Sequence, residues 1–267
     1  MIIDFHAHIF TDNVAKNALP VLAERAKIDP HTDATAGGLM KSMVNSGIDY
    51  TVIANIATRV EQVQKINKWT VELSNTYPQI ISLGTLHPGM SFDDMKQEVG
   101  YLSKNNIKGI KLHPDYQYFF VDDKSLYLMY QLLSEAGMFI LFHSGIDIGL
   151  PGEIHCTPQR LLSLKDNNVE LKVVAAHMGG YQMWNDVEKY LIGTDIYFDT
   201  SFSIEEIGVE KSSELMKKHG VSKILFGTDS PWKSQSEELD LVKSLQLSNA
   251  EIQLITSKNA MEILQLK

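Results

Sequence analysis

Met1-Ile-Ile-Asp-Phe-His-Ala-His8 opens the chain, and its reading decides the fold. Ile2, Ile3 and Phe5 make a short apolar run of strand type, and His6 and His8 close it two residues apart. Side chains alternate faces along a strand, so both imidazoles emerge on one side. Two neutral imidazoles at that spacing are half of a metal site, and read alone they are equally a hydrogen-bonded core pair. An open doubly wound sheet would more often carry a Gly-rich phosphate loop after its first strand. Here His-Ala-His occupies that place, and neither a G-x-G-x-x-G nor a P-loop lysine pattern appears. No cleaved leader is expected ahead of this stretch.

Working outward, strand and helix signals alternate. Residues 9–35 read as a loop with a short helix around Pro20, and 37–46 as a helix. The β-branched run 50–56 is a strand, followed by a helix over 60–76 that stops before Tyr77-Pro78. Further strands are read at 80–86, 107–112, 138–142, 171–176, 196–199 and 223–226. Ser91 caps one intervening helix, Asp122 caps another running to Glu135, and Thr157-Pro158 starts a third. Helices over 181–191 and 204–219, and two near 235–245 and 248–265, complete the chain. Eight strands each followed by helix imply parallel pairing and a (β/α)₈ TIM barrel, one domain over residues 1–267.

Composition narrows the function. The formal net charge of −9 opposes nucleic acid or an anionic membrane as partners. The three arginines, Arg25, Arg59 and Arg160, form no basic cluster. Cys156 is the one cysteine, which fits a reducing cytoplasm, and no apolar run is long enough to span a bilayer. A small-molecule substrate is the expected partner.

Chemistry gathers at the strand ends. His6, His8, His87, His113, His143 and His177 all fall at C-terminal strand ends, and His155 lies in the loop after the fifth strand. A barrel places all those ends on one rim, where active sites are built. Core-filling histidines would scatter through strands and helices instead. Asp229 ends the eighth strand, which neighbours the first in a closed barrel, so it should lie beside His6 and His8. A carboxylate there can ligate a metal and take a proton from its bound water.

Four segments carry a resemblance along essentially the whole chain: Asp4-Phe-His-Ala-His8, His143-Ser-Gly145, Ala176-His-Met-Gly-Gly180 and Phe226-Gly-Thr-Asp-Ser-Pro231. In this order the chain resembles the amidohydrolase superfamily, in particular the group of metal-dependent TIM-barrel hydrolases that includes aminocarboxymuconate-semialdehyde decarboxylase. The resemblance implies one divalent ion on His6, His8, His143 and Asp229, with His177 as the catalytic histidine. Zinc is the ion expected for such a set, and manganese or iron are alternatives. Relatives with two ions often bridge them with a carboxylated lysine, and Lys111 stands at the matching strand end. Family members are often dimers, so a homodimer is also implied.

The main expectation is a metal-dependent hydrolase of a small carboxylated or cyclic ester or amide, with Asp229 as base and His177 aiding the oxyanion. The alternative is a metal-dependent, non-oxidative decarboxylase of a small carboxylic acid. Less favoured are a non-catalytic metal-binding barrel and a TatD-like nuclease, which the acidic charge opposes. Lys111, His113, Arg59, Tyr116, Trp184 and Trp232 are the candidate substrate contacts, with Arg160 and Lys233 as further rim cations. Asp4, one step before His6 on the same face, is read equally as the partner of a ligand imidazole and as an ordinary buried hydrogen-bonded group.

Overall fold

The computed structural model describes residues 1–266. Eight parallel strands occur in chain order: β1 (Ile3–Ala7), β2 (Tyr50–Ile53), β3 (Ile80–Ser82), β4 (Gly109–Leu112), β5 (Phe139–Phe142), β6 (Val173–Ala175), β7 (Tyr197–Asp199) and β8 (Ile224–Leu225). Hydrogen bonding runs β1-β2-β3 and β4 through β8, each pair parallel. Two seams close the ring. Gly84 pairs with Ile110, and Lys111 N–H donates to Gly84 O at 2.8 Å. Across the other seam Phe5 N–H donates to Phe226 O and Asp229 N–H to His6 O, each at 2.7 Å. A Cβ on Gly84 would stand 2.4 Å from the Leu102 side chain, so only glycine lets β3 approach the helix outside it.

Strand alternation sorts the core into two layers. Phe5, Leu83, Phe139, Leu141 and Val174 form an inner cluster with Ile263 and Leu264 of the last helix. The residues between them, Ile110, Leu112, Ile140, Phe142 and Ala175, belong to the layer under the outer helices. Lys111 and His143 continue the inner parity toward the C-terminal rim. The barrel thus has an apolar base and a titratable top.

α1 (Asp12–Ala26) and α3 (Val63–Thr76) wall that top, with α2 (Ala36–Ser46) between them in the chain. The first corrects the sequence reading of a loop with a short helix. Fifteen residues are helical straight through Pro20, with Ala15 and Leu19 buried. Packing of that face offsets the hydrogen bond proline cannot make. Other boundaries move less. Asp123, not Asp122, caps the turn before helix Tyr127–Glu135, the helix read from 181 begins at Trp184, and Gly208 splits the helix read over 204–219. Among the described residues no helix is long and apolar enough to cross a membrane.

Glu238, on helix Gln235–Lys243, is 2% exposed, and its Oε2 has no hydrogen-bond partner. Burial raises its carboxyl to about 8, against a partly compensating charge from Lys233. A carboxyl raised on folding binds its proton in the native state while the unfolded chain has lost it. Stability therefore falls as pH rises from about 4.5 toward 8. Glu238→Gln removes the buried charge and is expected to raise the melting temperature by several degrees at pH 9, with a much smaller gain at pH 5. Equal shifts at both pH values in thermal melts would contradict this account.

Candidate metal centre

His6 and His8 leave β1 with ring centroids 5.0 Å apart, and both face Asp229 beyond β8. Asp229 Oδ1 lies 3.0 Å from His8 Nε2 and 3.6 Å from His6 Nε2, and the three offer converging nitrogen and oxygen ligand atoms. His143, the fourth predicted ligand, groups instead with His113 and Asp147. Its ring stacks on that of His113 at 4.1 Å, and its Nε2 is buried with no hydrogen-bond partner.

Hydrogen bonding sets which nitrogens are free. His177 Nδ1–H donates to the Ser201 carbonyl at 3.1 Å, which leaves His177 Nε2 as an acceptor. His143 Nδ1–H donates to it at 3.1 Å, so the lone pair of His143 sits on the unpartnered Nε2. His6 Nδ1–H donates to Asp199 Oδ2 at 2.8 Å, and its Nε2 then carries the lone pair. That lone pair accepts from Lys111 Nζ at 3.2 Å. Burial, and then the nearby lysine charge, lowers His6 to about 4 and holds His113 well below its ordinary value. Burial likewise lowers His143, aided by His113 and His177. Neutral imidazoles with lone pairs on Nε2 are the ligand-competent form.

Charge follows the same logic. Burial alone would raise Asp229, but the His8 hydrogen bond and the surrounding imidazoles outweigh it and hold the carboxyl far below the usual range. Burial lowers Lys111 to about 8, with Asp199 and Asp229 opposing the shift. Asp229 and His177 both adopt left-handed backbone, φ 64° and 59°. Such conformations are costly away from glycine and cluster where a side chain must be aimed.

Asp199 was missed in the sequence. It ends β7, is fully buried, and accepts from His6, from the backbone of His177 and Ser201, and from the Ser201 hydroxyl. Of the two readings of Asp4, the structure shows the buried hydrogen-bonded group, and it serves the scaffold. It accepts from both the N–H and the hydroxyl of Thr228 and from Gln235, tying β1 to the β8 segment and an outer helix. The register of β1 shifts between Asp4 and Ala7, so Asp4 and His6 do not share a face as simple alternation requires.

A cavity of about 560 Å³ opens above the cluster. His8, Lys111, His113, His143, His177 and Asp229 line its floor, and Tyr116 and Trp232 stand in its wall. Arg59 and Trp184 do not line it. Arg59 is exposed at the start of a short helical turn, and Trp184 donates its indole N–H to the His177 carbonyl from behind the site. Arg160 pairs with Asp122 and Lys233 with Glu205, so neither rim cation reaches inward. Arg25 and Lys65, which sequence reasoning passed over, do line the cavity. Asn55 also lines it, buried with both amide atoms unpartnered. Two crossed pairs fasten the loop after β5 to the loop after β4: His113 with Asp147 at 3.0 Å, and His155 with Asp115 at 2.7 Å.

The fold and the rim of histidines define a closed (β/α)₈ barrel with a cluster of residues able to hold a metal at its C-terminal mouth. The amidohydrolase family model matches residues 3–266, and the chain belongs to that family. A search of curated proteins gave no match. Solved structures of similar fold include 5-carboxyvanillate decarboxylase from Novosphingobium aromaticivorans with bound manganese and 3-methoxy-4-hydroxy-5-nitrobenzoic acid. It is 14% identical with a TM-score of 0.75, covering 100% of this chain and 97% of that one. A TIM-barrel protein from Bordetella bronchiseptica is 16% identical with a TM-score of 0.80, covering 99% and 98%. 2,6-Dihydroxybenzoate decarboxylase in complex with 2,6-dihydroxybenzoate is 13% identical with a TM-score of 0.74, covering 99% of each chain.

Proposed function

We propose that this protein is a metal-dependent, non-oxidative decarboxylase of a small carboxylic acid, the alternative rather than the main reading drawn from its sequence. The observation that carries the proposal is the cavity itself: a floor that includes His8 and Asp229, with His6 buried against them, beneath walls that are mostly apolar. Whole-chain similarity of fold to two decarboxylases of aromatic acids supports the same choice over hydrolysis.

The donor set fits a divalent ion. His6 and His8 would hold it with Asp229, and the orphaned Nε2 of His143 is a further ligand atom. An imidazole-rich set with one carboxylate suits zinc, and the Novosphingobium decarboxylase carries manganese. When bound, the ion supplies a cationic centre that anchors and polarises an oxygen of the acid. The Lys111 amine competes for the His6 lone pair and must release it for the ion to enter.

The reaction breaks the bond between carbon and the carboxylate, releases neutral CO₂, and requires one proton at the carbon left behind. His177, anchored through Nδ1 on Ser201, turns Nε2 to the cavity floor, where it exchanges the His143 hydrogen bond for a proton taken from solvent and passes that proton to the carbon. Asp229 would share the ion with His6 and His8, and its negative charge offsets that of Lys111 among neutral imidazoles. Apolar walls exclude water that would otherwise solvate the carboxylate.

The test is a panel of 2-hydroxy- and 2,6-dihydroxybenzoates, assayed with metal-stripped, zinc-loaded and manganese-loaded protein. Metal-dependent CO₂ release is expected, with one deuteron from D₂O on the vacated carbon. Turnover of esters, lactones or amides without any CO₂ release from acids would return the assignment to hydrolysis.

A further inference from the structure

We propose that the cavity has a second, apolar compartment between α1 and α3, which binds the hydrophobic extension of an amphipathic carboxylic acid. The inference rests on the reading of the histidine floor as the seat of the acid group, and it adds what the rest of the substrate is.

A helix that only covers a barrel needs one apolar stripe. In α1 that stripe is Ala15 and Leu19, which are buried. A second stripe runs beside it at four-residue steps, Val14, Ala18, Leu22 and Ala26, and all four line the cavity. Residues at that spacing stack along one face. On the other side α3 contributes Ile66 and Trp69, three residues apart. These helices follow β1 and β2, so the cleft between them opens directly above the strand ends that carry His8 and Asn55.

Size and exposure point the same way. A cavity of 560 Å³ is matched to a drug-sized ligand and leaves most of its volume unused by a single benzoate ring. Val14 remains 45% exposed and Ile148, on the loop after β5, 39% exposed, and both line this one cavity. An apolar ligand segment in the cleft covers them. Asn55 gives an independent sign of a ligand. It is 7% exposed, both amide atoms lack partners, and it lines the cavity beneath the cleft. A buried amide without partners is costly, and a polar group on a bound molecule satisfies it. The structure thus assigns a ligand with an acidic head, a hydrogen-bonding group beside it, and an alkyl or aryl extension.

Calorimetric titration of the zinc-loaded protein with benzoate, 4-ethylbenzoate and 4-butylbenzoate tests the compartment. Affinity is expected to rise about fourfold per methylene, so that the butyl compound binds on the order of 10²-fold tighter than benzoate. In Ala18→Trp, which fills the cleft, and in Leu22→Lys, which makes it polar, that ratio collapses toward unity. Both variants are checked by circular dichroism, and Leu22→Lys decides if Ala18→Trp does not fold. A flat series in the unaltered protein overturns the proposal, as does a steep series that both variants leave intact. A parallel series of n-alkanols separates the two readings. If alkanols show the chain-length gain and lose it in the variants while benzoate does not bind, the compartment stands and the acid-binding floor falls.

Discussion

Asp229→Asn is expected to lower turnover by about 10²- to 10⁴-fold, the range for losing a group that handles charge and protons at the reacting centre. Asparagine is the informative substitution. Asp229 sits at φ 64°, a left-handed conformation that asparagine tolerates and alanine does not, so the variant keeps the backbone that aims the side chain. The amide still reaches His8 but is neutral. It removes the anion that burial resists and that the His8 hydrogen bond and neighbouring imidazoles sustain. Metal content measured beside turnover separates the two roles of the carboxylate. A deficit that saturating metal fully repairs assigns Asp229 to ligation alone. A deficit that persists at full occupancy assigns it to the chemistry. Undiminished turnover at any metal level would remove Asp229 from the site.

Asp229 was legible because the sequence places it at a strand end, and a closed barrel brings the ends of β8 and β1 together. The same rule puts His6, His8, Lys111, His113, His143 and His177 at strand ends on that rim, where the structure places them. Asp199 obeys it equally, as the last residue of β7, yet it passed unremarked. Its function is to hold His6 from behind, and no spacing in the chain pairs residues 6 and 199. Asp4 had two equal readings, and a register shift inside β1, which breaks the alternation that would aim it at an imidazole, decides for the buried hydrogen-bonded one. The helix α1 failed for a local reason. Pro20 signals a break, and only burial of Ala15 and Leu19 against the barrel overrides it. That one error hid the apolar wall of the cavity, because the stripe Val14, Ala18, Leu22 and Ala26 exists only if the helix is continuous. Arg59, Arg160 and Lys233 follow strands, so they could reach the rim or serve as ordinary surface cations, and surface pairing and exposure decide for the second.

Asp199→Asn is expected to weaken metal binding by about 10- to 100-fold while leaving much of the turnover recoverable at saturating metal. Asp199 uses both oxygens: Oδ2 takes the proton of His6 Nδ1 at 2.8 Å, and Oδ1 takes the N–H groups of His177 at 3.0 Å and Ser201 at 3.1 Å, with the Ser201 hydroxyl as well. Although burial would raise this carboxyl, the charge and hydrogen bond of His6 lower it to about 2, so it is an anion at any working pH. Asparagine offers one acceptor and one donor to four donors. The cheaper arrangement turns its oxygen to the three donors on the Oδ1 side and its NH₂ toward His6. His6 must then accept at Nδ1, and its proton moves to Nε2, the atom that faces Asp229 and Lys111. The tautomer is wrong for ligation, although no ligand has been removed. Competition with a chelator measures the loss directly, and activity against metal concentration shows a rightward shift with most of its plateau intact. The contrast with Asp229→Asn is the point of the experiment, since a charge acting on the reacting atoms is not restored by more metal. An Asp199→Asn protein with unaltered metal affinity would mean that the His6 tautomer is fixed by something other than this carboxylate.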